Sequence, residues 1–546
     1  MLERTASRLT GMRGASRPPL RLGFLVAAES GFETWQMRVF DRIAGDPRFQ
    51  IAAMLVHPKP FGHQSEPGFF RLVSRIEAKV LAREPAYRPA AFDPANQRFD
   101  VLAPGSGPGG LDAPFAAKLV DSLDLDIVIR MTAEGLPDDV VKSLPFGEWG
   151  FSFSRQRSRT ADWSGYTDLL AGEPSVEMNL DARRNRDAVN IRIAGAHFNV
   201  KFSGARNDGF VKERAVTLLM RELGKLADTG RIDGMPAEPA PQVPPPAAFD
   251  LTRYCLSLAS RITGRAKKLF QSRTGTVTTI WTLFSGQGTI ADFEPSQSTE
   301  WPSTPEEIRA DPFLIEHEGQ SYCFYEAYSS KVKKAHIAVS RIEPDGLKPL
   351  GIALIRDYHL SYPFVFHHDG QLYMMPETNQ ARRIEIWRCV EFPLKWELHA
   401  TALEGKSPAD SMLHKIGDRW WLFTNLSDFH AYEDHCSELH IFEVDGPDLK
   451  MVTPHALNPV VVDSTTARNA GRLFEIDGRL YRPAQRNEYG IYGYGLNIME
   501  ITSLGLDVYE EKLLRVIRPD FKPGLMGCHH FDASNGRYVV DARLSE

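Results

Sequence analysis

The hydrophobic pattern of the chain changes character near its middle. In the first part, continuous apolar runs of strand length alternate with amphipathic ones. "LRLGFLVA" (Leu20–Ala27), "FQIAAMLV" (Phe49–Val56) and "LDIVIRM" (Leu125–Met131) suit buried strands. "ETWQMRVFDRIA" puts Trp35, Val39, Phe40 and Ile43 on one helical face. "GFVKERAVTLLMRELGKLA" does the same with Val211, Ala215, Leu218, Leu219 and Leu223, and "FAAKLVDSL" reads as a further helix. Strand–helix–strand alternation predicts an α/β domain over 19–232 with a largely parallel sheet.

In the second part the pattern is an apolar strand, a tight turn with Gly and often Asp or Asn, and an aromatic-rich strand. It occurs five times: "ADPFLIEHEGQSYCFYEAY", "HLSYPFVFHHDGQLYMMPETN", "ADSMLHKIGDRWWLFTNLS", "NAGRLFEIDGRLYRPAQRN" and "GCHHFDASNGRYVVDARLS". These are hairpin signals. Their turns lie about 47 to 60 residues apart, room for four strands each, which predicts a five-bladed β-propeller over 276–546.

Residues equidistant from a hairpin turn lie at one height. Before the five turns, that level holds Asp311, Tyr362, Asp410, Gly471 and Cys528; after them it holds Glu326, Glu377, Asn425, Gln485 and Arg543. A charged ring inside a core is costly, so the expectation is a ring at one mouth of the central channel, outside the apolar packing. Asp311, Glu377 and Asp410 are the candidate catalytic groups, because converging carboxylates serve glycosyl chemistry as proton donor, proton acceptor and charge partner. Glu326, Tyr362, Asn425, Arg468, Arg472, Gln485 and His529 are the candidate substrate-binding groups. Ion pairing of the acids with Arg468, Arg472 and Arg482 is the structural alternative. Of His529 and His530 at most one can line the channel, since neighbouring strand residues face opposite ways.

Between the two parts, "MPAEPAPQVPPPAAFD" carries six prolines and predicts a linker over 233–250. "LTRYCLSLASRITGRAKKLF" follows as a basic helical connector over 251–275, with Arg253, Arg261, Arg265, Lys267 and Lys268 and no acid. It invites contact with an anionic membrane surface, or serves as a plain connector. Residues 1–18 read as a disordered basic tail without a signal-peptide core. Apolar content of 42% and charged content of 25% are those of a globular protein, and a net charge of −6 gives no reason to expect nucleic acid. The five cysteines are odd in number and lack CxxC spacing, which suggests neither a disulfide framework nor a zinc site and points to a reducing compartment. No metal or cofactor is expected. The glycines of "APGSGPGGLDAPF" match no phosphate-loop motif, and Asp428, His430, His435 and His440 read as an exposed loop entering a strand, not as ligands.

The propeller motifs "YHLSYPFVFHHDGQLYMMPET", "ALEGKSPADSMLHKIGDRWWLFTN" and "ARNAGRLFEIDGRLYRPAQ" resemble glucosamine inositolphosphorylceramide transferase-like proteins, over roughly Trp281 to Leu544. That family is related in shape to the propellers of glycoside hydrolase family 43. Against the latter pattern, Asp311 sits where the base falls, Tyr362 replaces a second-blade Asp, and Asp410 stands where a Glu is expected. The first part resembles a formyltransferase-like domain through "DLDIVIRMTAEGLPDDVVKSLPFGEWGFSF" and "YTDLLAGEPSVEMNLD". Gly150 and Ser152 occupy the places of its catalytic Asn and His, and Asp181 and Asp187 are the remaining acids, so the resemblance implies an inactive domain. Together these imply a cytoplasmic or peripherally membrane-bound protein of surface glycan biosynthesis. It would transfer or modify a sugar at the propeller and take a sugar or nucleotide-sugar. A non-catalytic glycan-binding scaffold and a glycoside hydrolase are the alternatives.

Overall fold

The computed structural model describes residues 18–27, 32–57, 68–81, 100–102, 122–132, 135–153, 157–158, 165–184, 190–237, 242–243, 248–273, 280–301, 307–329, 332, 334–427 and 434–544. They divide into two compact units, Met1–Ser260 and Arg261–Glu546.

The first unit is an α/β domain. Its elements are β1 (Leu20–Ala27), α1 (Thr34–Ala44), β2 (Phe49–His57), α2 (Gly68–Leu81), β3 (Asp100–Leu102), β4 (Ile127–Arg130), α3 (Asp138–Val141) and β5 (Glu148–Ser152). Then come β6 (Arg157–Ser158), α4 (Thr167–Ala171), β7 (Ser175–Arg183), β8 (Ile191–Asn199), α5 (Gly204–Thr229), β9 (Met235–Pro236), β10 (Gln242–Val243) and α6 (Ala248–Arg273). Eight strands form one sheet in the order β3-β2-β1-β4-β5-β7-β8-β9. Pairing is parallel from β3 to β5 and antiparallel from β5 to β9, so the sheet is mixed where a largely parallel one was expected. The antiparallel half comes from "SVEMNLDAR", in which Val176, Met178, Leu180 and Ala182 are buried. The predicted apolar faces of α1 and α5 are buried, and Ser203 caps α5 by accepting a hydrogen bond from the Arg206 amide.

The proline-rich stretch is pinned at two points. Met235–Pro236 pairs with β8 and Gln242–Val243 with β6. Proline is tolerated there because β9 is an edge strand. Helix α6 begins at Ala248, inside the expected linker, and the division between units falls within it. The glycine-rich loop, all but the last two residues of the "FAAKLVDSL" helix, and Asp187, Asp428 and His430 lie outside the described residues.

The second unit is a five-bladed β-propeller. Two strands, β11 (Ile280–Gln287) and β12 (Thr299–Trp301), precede the first complete blade. Blade one is β13 (Glu307–His317), β14 (Gln320–Ser329), β15 (His336–Glu343) and β16 (Gly346–Leu354). Blade two is β17 (Ser361–His368), β18 (Gln371–Glu377), β19 (Ile384–Glu391) and β20 (Lys395–Ala402). Blade three is β21 (Pro408–Ile416), β22 (Arg419–Leu426), β23 (Glu438–Val444) and β24 (Val452–Pro454), with β25 (Val461–Val462) also on β23. Blade four is β26 (Phe474–Ile476), β27 (Arg479–Glu488), β28 (Ile491–Leu504) and β29 (Tyr509–Ile517). Blade five joins the ends of the propeller: β30 (Leu525–Gly527) and β31 (Phe531–Ser534) both pair with β32 (Arg537–Leu544), β32 pairs with β11, and β11 with β12. Closing the ring with strands from both ends protects the sheet edges that an open array would expose. The predicted turns close hairpins, with Glu318-Gly319, Asp369-Gly370, Asp477-Gly478 and Asn535-Gly536 all at positive φ.

Candidate functional site

The inner strands of the first three blades carry the same irregularity. Ala310 pairs with Glu326 and Phe313 with Phe324; Ser361 pairs with Glu377 and Phe364 with Met375; Ala409 pairs with Asn425 and Met412 with Phe423. Each inner strand therefore has one residue more than its partner, a β-bulge. The bulge residues are Asp311, Tyr362 and Asp410, with φ of 49°, 46° and 42°. Non-glycine residues held in the left-handed region store of order 1–3 kcal/mol each and cluster at functional sites.

The bulge frees a backbone N–H from the ladder, and in each case a side chain of the preceding blade takes it. The Asp311 amide donates to Asp541 Oδ2 at 3.0 Å, the Tyr362 amide to Asp311 Oδ2 at 3.1 Å, and the Asp410 amide to Glu377 Oε2 at 3.3 Å. In blade four the Asn469 amide donates to Asn425 Oδ1 at 2.9 Å. Asn425 also donates to the carbonyls of Glu438 and Ala467. Tyr362 Oη bridges both the amide and the carbonyl of Gly471. Asp311, Glu377 and Asn425 thus tie one blade to the next.

Asp410 has different partners. Arg468 Nε donates to its Oδ2 at 2.6 Å, Arg468 Nη2 reaches Oδ1 at 3.2 Å and Glu377 Oε2 at 3.2 Å, and Gln485 Nε2 donates to Oδ2 at 3.1 Å. Arg468 also lies over the Tyr492 ring, 5.1 Å from its centre. His529 donates from Nδ1 to Asp541, its Nε2 stands 3.8 Å from Asp311 Oδ1, and its ring stacks on Trp281 at 4.1 Å with Tyr492 edge-on at 5.3 Å. Gly493 makes room for it, since a Cβ there would lie 2.6 Å from His529 Cβ. His530 packs edge-on against Phe313 and Tyr362, with its Nδ1 3.6 Å from Asp311 Oδ1.

The structure thus brings Asp311, Glu326, Glu377, Asp410, Arg468, Gln485 and His529 to one centre. It corrects the expected setting: Asp311, Glu377 and Asp410 are all buried rather than ringing an exposed mouth. They are held by hydrogen bonds and by Arg468 instead of water. Arg472 is not part of this centre. It is paired with Asp532 at 2.5 Å and bonded to the Leu314 carbonyl, and Arg482 is paired with Glu511. Cys528 is buried in an apolar cluster with Phe531, and Arg543 is half-buried on β32. His435 contacts Ser407 and His440 contacts Glu438, so neither takes part in the centre. Among the described residues, Asp311, His529 and Asp541 offer ligand atoms close enough together to hold a metal ion.

Burial and neighbouring charge set the protonation of the centre. Burial pushes the Asp311 carboxyl up to about 7, against the lowering pull of His529. It pushes Asp410 up to about 7 as well, against the pull of Arg468, with Glu377 adding to the rise. Glu326 is raised well above the ordinary carboxylate value by burial and then by Asp311, Glu377, Asp541 and Asp410. Burial lowers His529, but Asp541 and Asp311 more than reverse this and it ends raised. His530, buried and facing the cations His529 and Arg472, falls to about 3. Sequence reasoning missed Asp541, Trp281 and Tyr492. The signal for Asp541 was a lone acid inside the apolar run "YVVDA".

In the first unit, the stretch matched to a catalytic motif lines a separate cavity of about 200 Å³ with Arg130, Glu148, Gly150, Asp181 and Arg183. Arg130 and Arg183 both pair with Glu148, and Arg192 pairs with Asp181 at 2.6 Å. A Cβ on Gly150 would stand 2.4 Å from Arg130 Nη2. The guanidinium therefore fills the space that an Asn side chain at that position would need. Ser152 pairs with Asn179 across the sheet.

Residues 295–521 match the family model described as Glucosamine inositolphosphorylceramide transferase 1, N-terminal. Glucosamine inositolphosphorylceramide transferase 1 of Oryza sativa subsp. japonica is 35% identical over 238 residues, 42% of this chain and 32% of that protein. The Arabidopsis thaliana protein of the same name is 34% identical over 247 residues, 43% of this chain and 32% of its own length. The chain spans about a third of the length of these curated relatives. Among solved structures, Zg3597, a family 117 glycoside hydrolase of Zobellia galactanivorans, has a TM-score of 0.32 at 13% identity, covering 49% of this chain and 90% of that one.

Proposed function

We propose that this chain, whose propeller is similar in sequence to glucosamine inositolphosphorylceramide transferase 1, transfers a sugar at the centre of the propeller. The observation that carries the reading is the convergence of four acids on one buried centre beside an aromatic wall. Glu326 and Asp410 are the two that hold no backbone tie to a neighbouring blade among the described residues. Glu326, raised by burial and then by its acidic neighbours, keeps about a fifth of its side chain exposed and is suited to exchange a proton with a sugar hydroxyl or leaving group. Arg468, held by Asp410 in the same centre, supplies a positioned cation able to stabilise negative charge that develops as a glycosyl bond breaks. Trp281 and Tyr492, on either side of His529, present apolar ring surface on which a sugar can stack. Asp311 and Glu377 position the bulges that hold these groups.

The relatives' name joins glucosamine, an inositolphosphorylceramide and a transfer, which makes a nucleotide-activated amino sugar and an inositol-phosphate lipid the first donor and acceptor to try. In this reading the first unit is a formyltransferase-like domain without formyl transfer. A second reading, a glycan-binding scaffold, is favoured by one observation: Arg468 already satisfies both Asp410 and Glu377. Turnover by the purified protein and by Glu326→Gln separates the two. Transfer predicts sugar incorporation that drops by about 10²–10⁴ in the variant with its melting temperature retained. Sugar binding without turnover, unchanged in Glu326→Gln, would replace it with the scaffold.

A further inference from the structure

Helix α2 shows two opposite faces. Phe70 and Glu77 are buried, while Phe69, Leu72, Ile76 and Val80, recurring every three or four residues, are between 45% and 56% exposed. An exposed apolar row of this kind is unusual on a helix whose other side already packs. The first turns of α6 repeat the arrangement. Leu251 and Tyr254 are buried, whereas Phe249 and Leu256, one heptad apart, are 75% and 70% exposed. The two helices are neighbours: Phe70, Tyr166, Leu251 and Tyr254 form one cluster, and Tyr254 Oη donates to Glu77 at 2.9 Å.

Charge identifies the occupant. Glu77 is the sole acid of α2, and it is consumed in the interior by Tyr254 and by the Ala205 amide. Asp250 is the sole acid of α6, at its first turn. Beside the exposed apolar rows stand Arg75 and Lys79 on α2 and Arg253 on α6, and Lys267 follows on the same side of α6. A second copy of the chain would bring like charges together across a two-fold contact. An anionic bilayer would accept the apolar rows at the level of its acyl chains and the cations at its phosphates. We propose that α2 and the first turns of α6 form a docking face for an anionic phospholipid membrane. No helix among the described residues is long and apolar enough to cross one, so the contact would be peripheral.

The proposal is independent of the chemistry at the propeller. It is tested by sedimenting the full chain with phosphatidylcholine vesicles, with and without about one-third phosphatidylglycerol. The expected result is pelleting that needs the anionic lipid, weakens with salt, and falls about tenfold in Leu72→Asp/Ile76→Asp. Those positions are exposed, and far-UV circular dichroism checks the fold. Backbone hydrogen exchange over 68–81 and 248–260 in the parent protein provides a readout without substitution, and should slow when vesicles are added. Equal pelleting with neutral vesicles, pelleting unaffected by the substitutions, or unchanged exchange would each overturn the proposal. So would a dimer lost in the double variant with no lipid binding, which would assign the face to a second copy.

Discussion

Asp311→Asn should make the propeller more stable at alkaline pH, although it removes a conspicuous acid from the centre. In the unfolded chain this carboxyl titrates near its ordinary value of 3.8; in the folded protein it titrates at about 7. Between those values the folded state holds a proton that the unfolded state has lost. Stability from this group is therefore complete below pH 3.8 and declines until pH passes 7. From pH 5 to pH 8 the wild type loses two units' worth of this linkage, at about 1.4 kcal/mol each. Sharing of the proton with the neighbouring acids reduces the total to about 1.5 kcal/mol. Asparagine imitates the protonated form and its carbonyl oxygen still accepts from the Tyr362 amide. The melting temperature of the variant relative to wild type should thus rise by about 3–5 °C between pH 5 and pH 8. The difference must be read between the two proteins. In either alone, His530 and His414, lowered to about 3 and about 4, make stability fall as pH drops below 6.5 and oppose the trend. Near-UV melts of both proteins at the two pH values decide the matter. A constant offset, or a variant that loses ground at pH 8, would refute the protonation state assigned to the centre.

Other perturbations probe the same structure from different sides. Arg468→Gln should strand Asp410 and cost about 3–5 kcal/mol at pH 8, but less at pH 5, where a proton on Asp410 replaces the cation; urea denaturation at both pH values would expose an equal loss as evidence against it. The purified chain should release no formyl product from 10-formyltetrahydrofolate and amino-sugar nucleotides, because Gly150 and Ser152 cannot relay a proton. Robust N-formylation abolished by Ser152→Ala would reverse that reading.

The number and register of the blades could be read because turn chemistry is local. A Gly at positive φ after Asp or Asn fixes a hairpin, and the hairpin fixes which residues share a height. That is enough to place Asp311, Glu377 and Asp410 at one level from the sequence alone. It is not enough to place them in the interior, because the pattern of strands says nothing of how tightly five blades close. Trp281 was invisible for a related reason: it reaches His529 only because β11 completes blade five from the other end of the propeller. In the first unit, apolar runs revealed strands but not direction, since alternation looks the same in parallel and antiparallel neighbours.

The bulge was the feature with no signature in the sequence, and it explains what the acids are for. A regular strand would spend the amides of residues 311, 362 and 410 on the ladder and leave no donor for the neighbouring blade. One extra residue turns each amide outward, and only a side-chain oxygen at the right height can then satisfy it. Asp541, Asp311 and Glu377 meet that need, and Asn425 meets it in blade four without a charge. An amide is therefore sufficient as a tie. Three of the four ties nevertheless carry carboxylates, which burial makes costly, and after burial itself they add to the rise of Glu326. A purely structural ring would settle for asparagine throughout, as blade four does. The retained carboxylates are accounted for when the ties also help to raise Glu326, the acid proposed above to exchange a proton with a sugar.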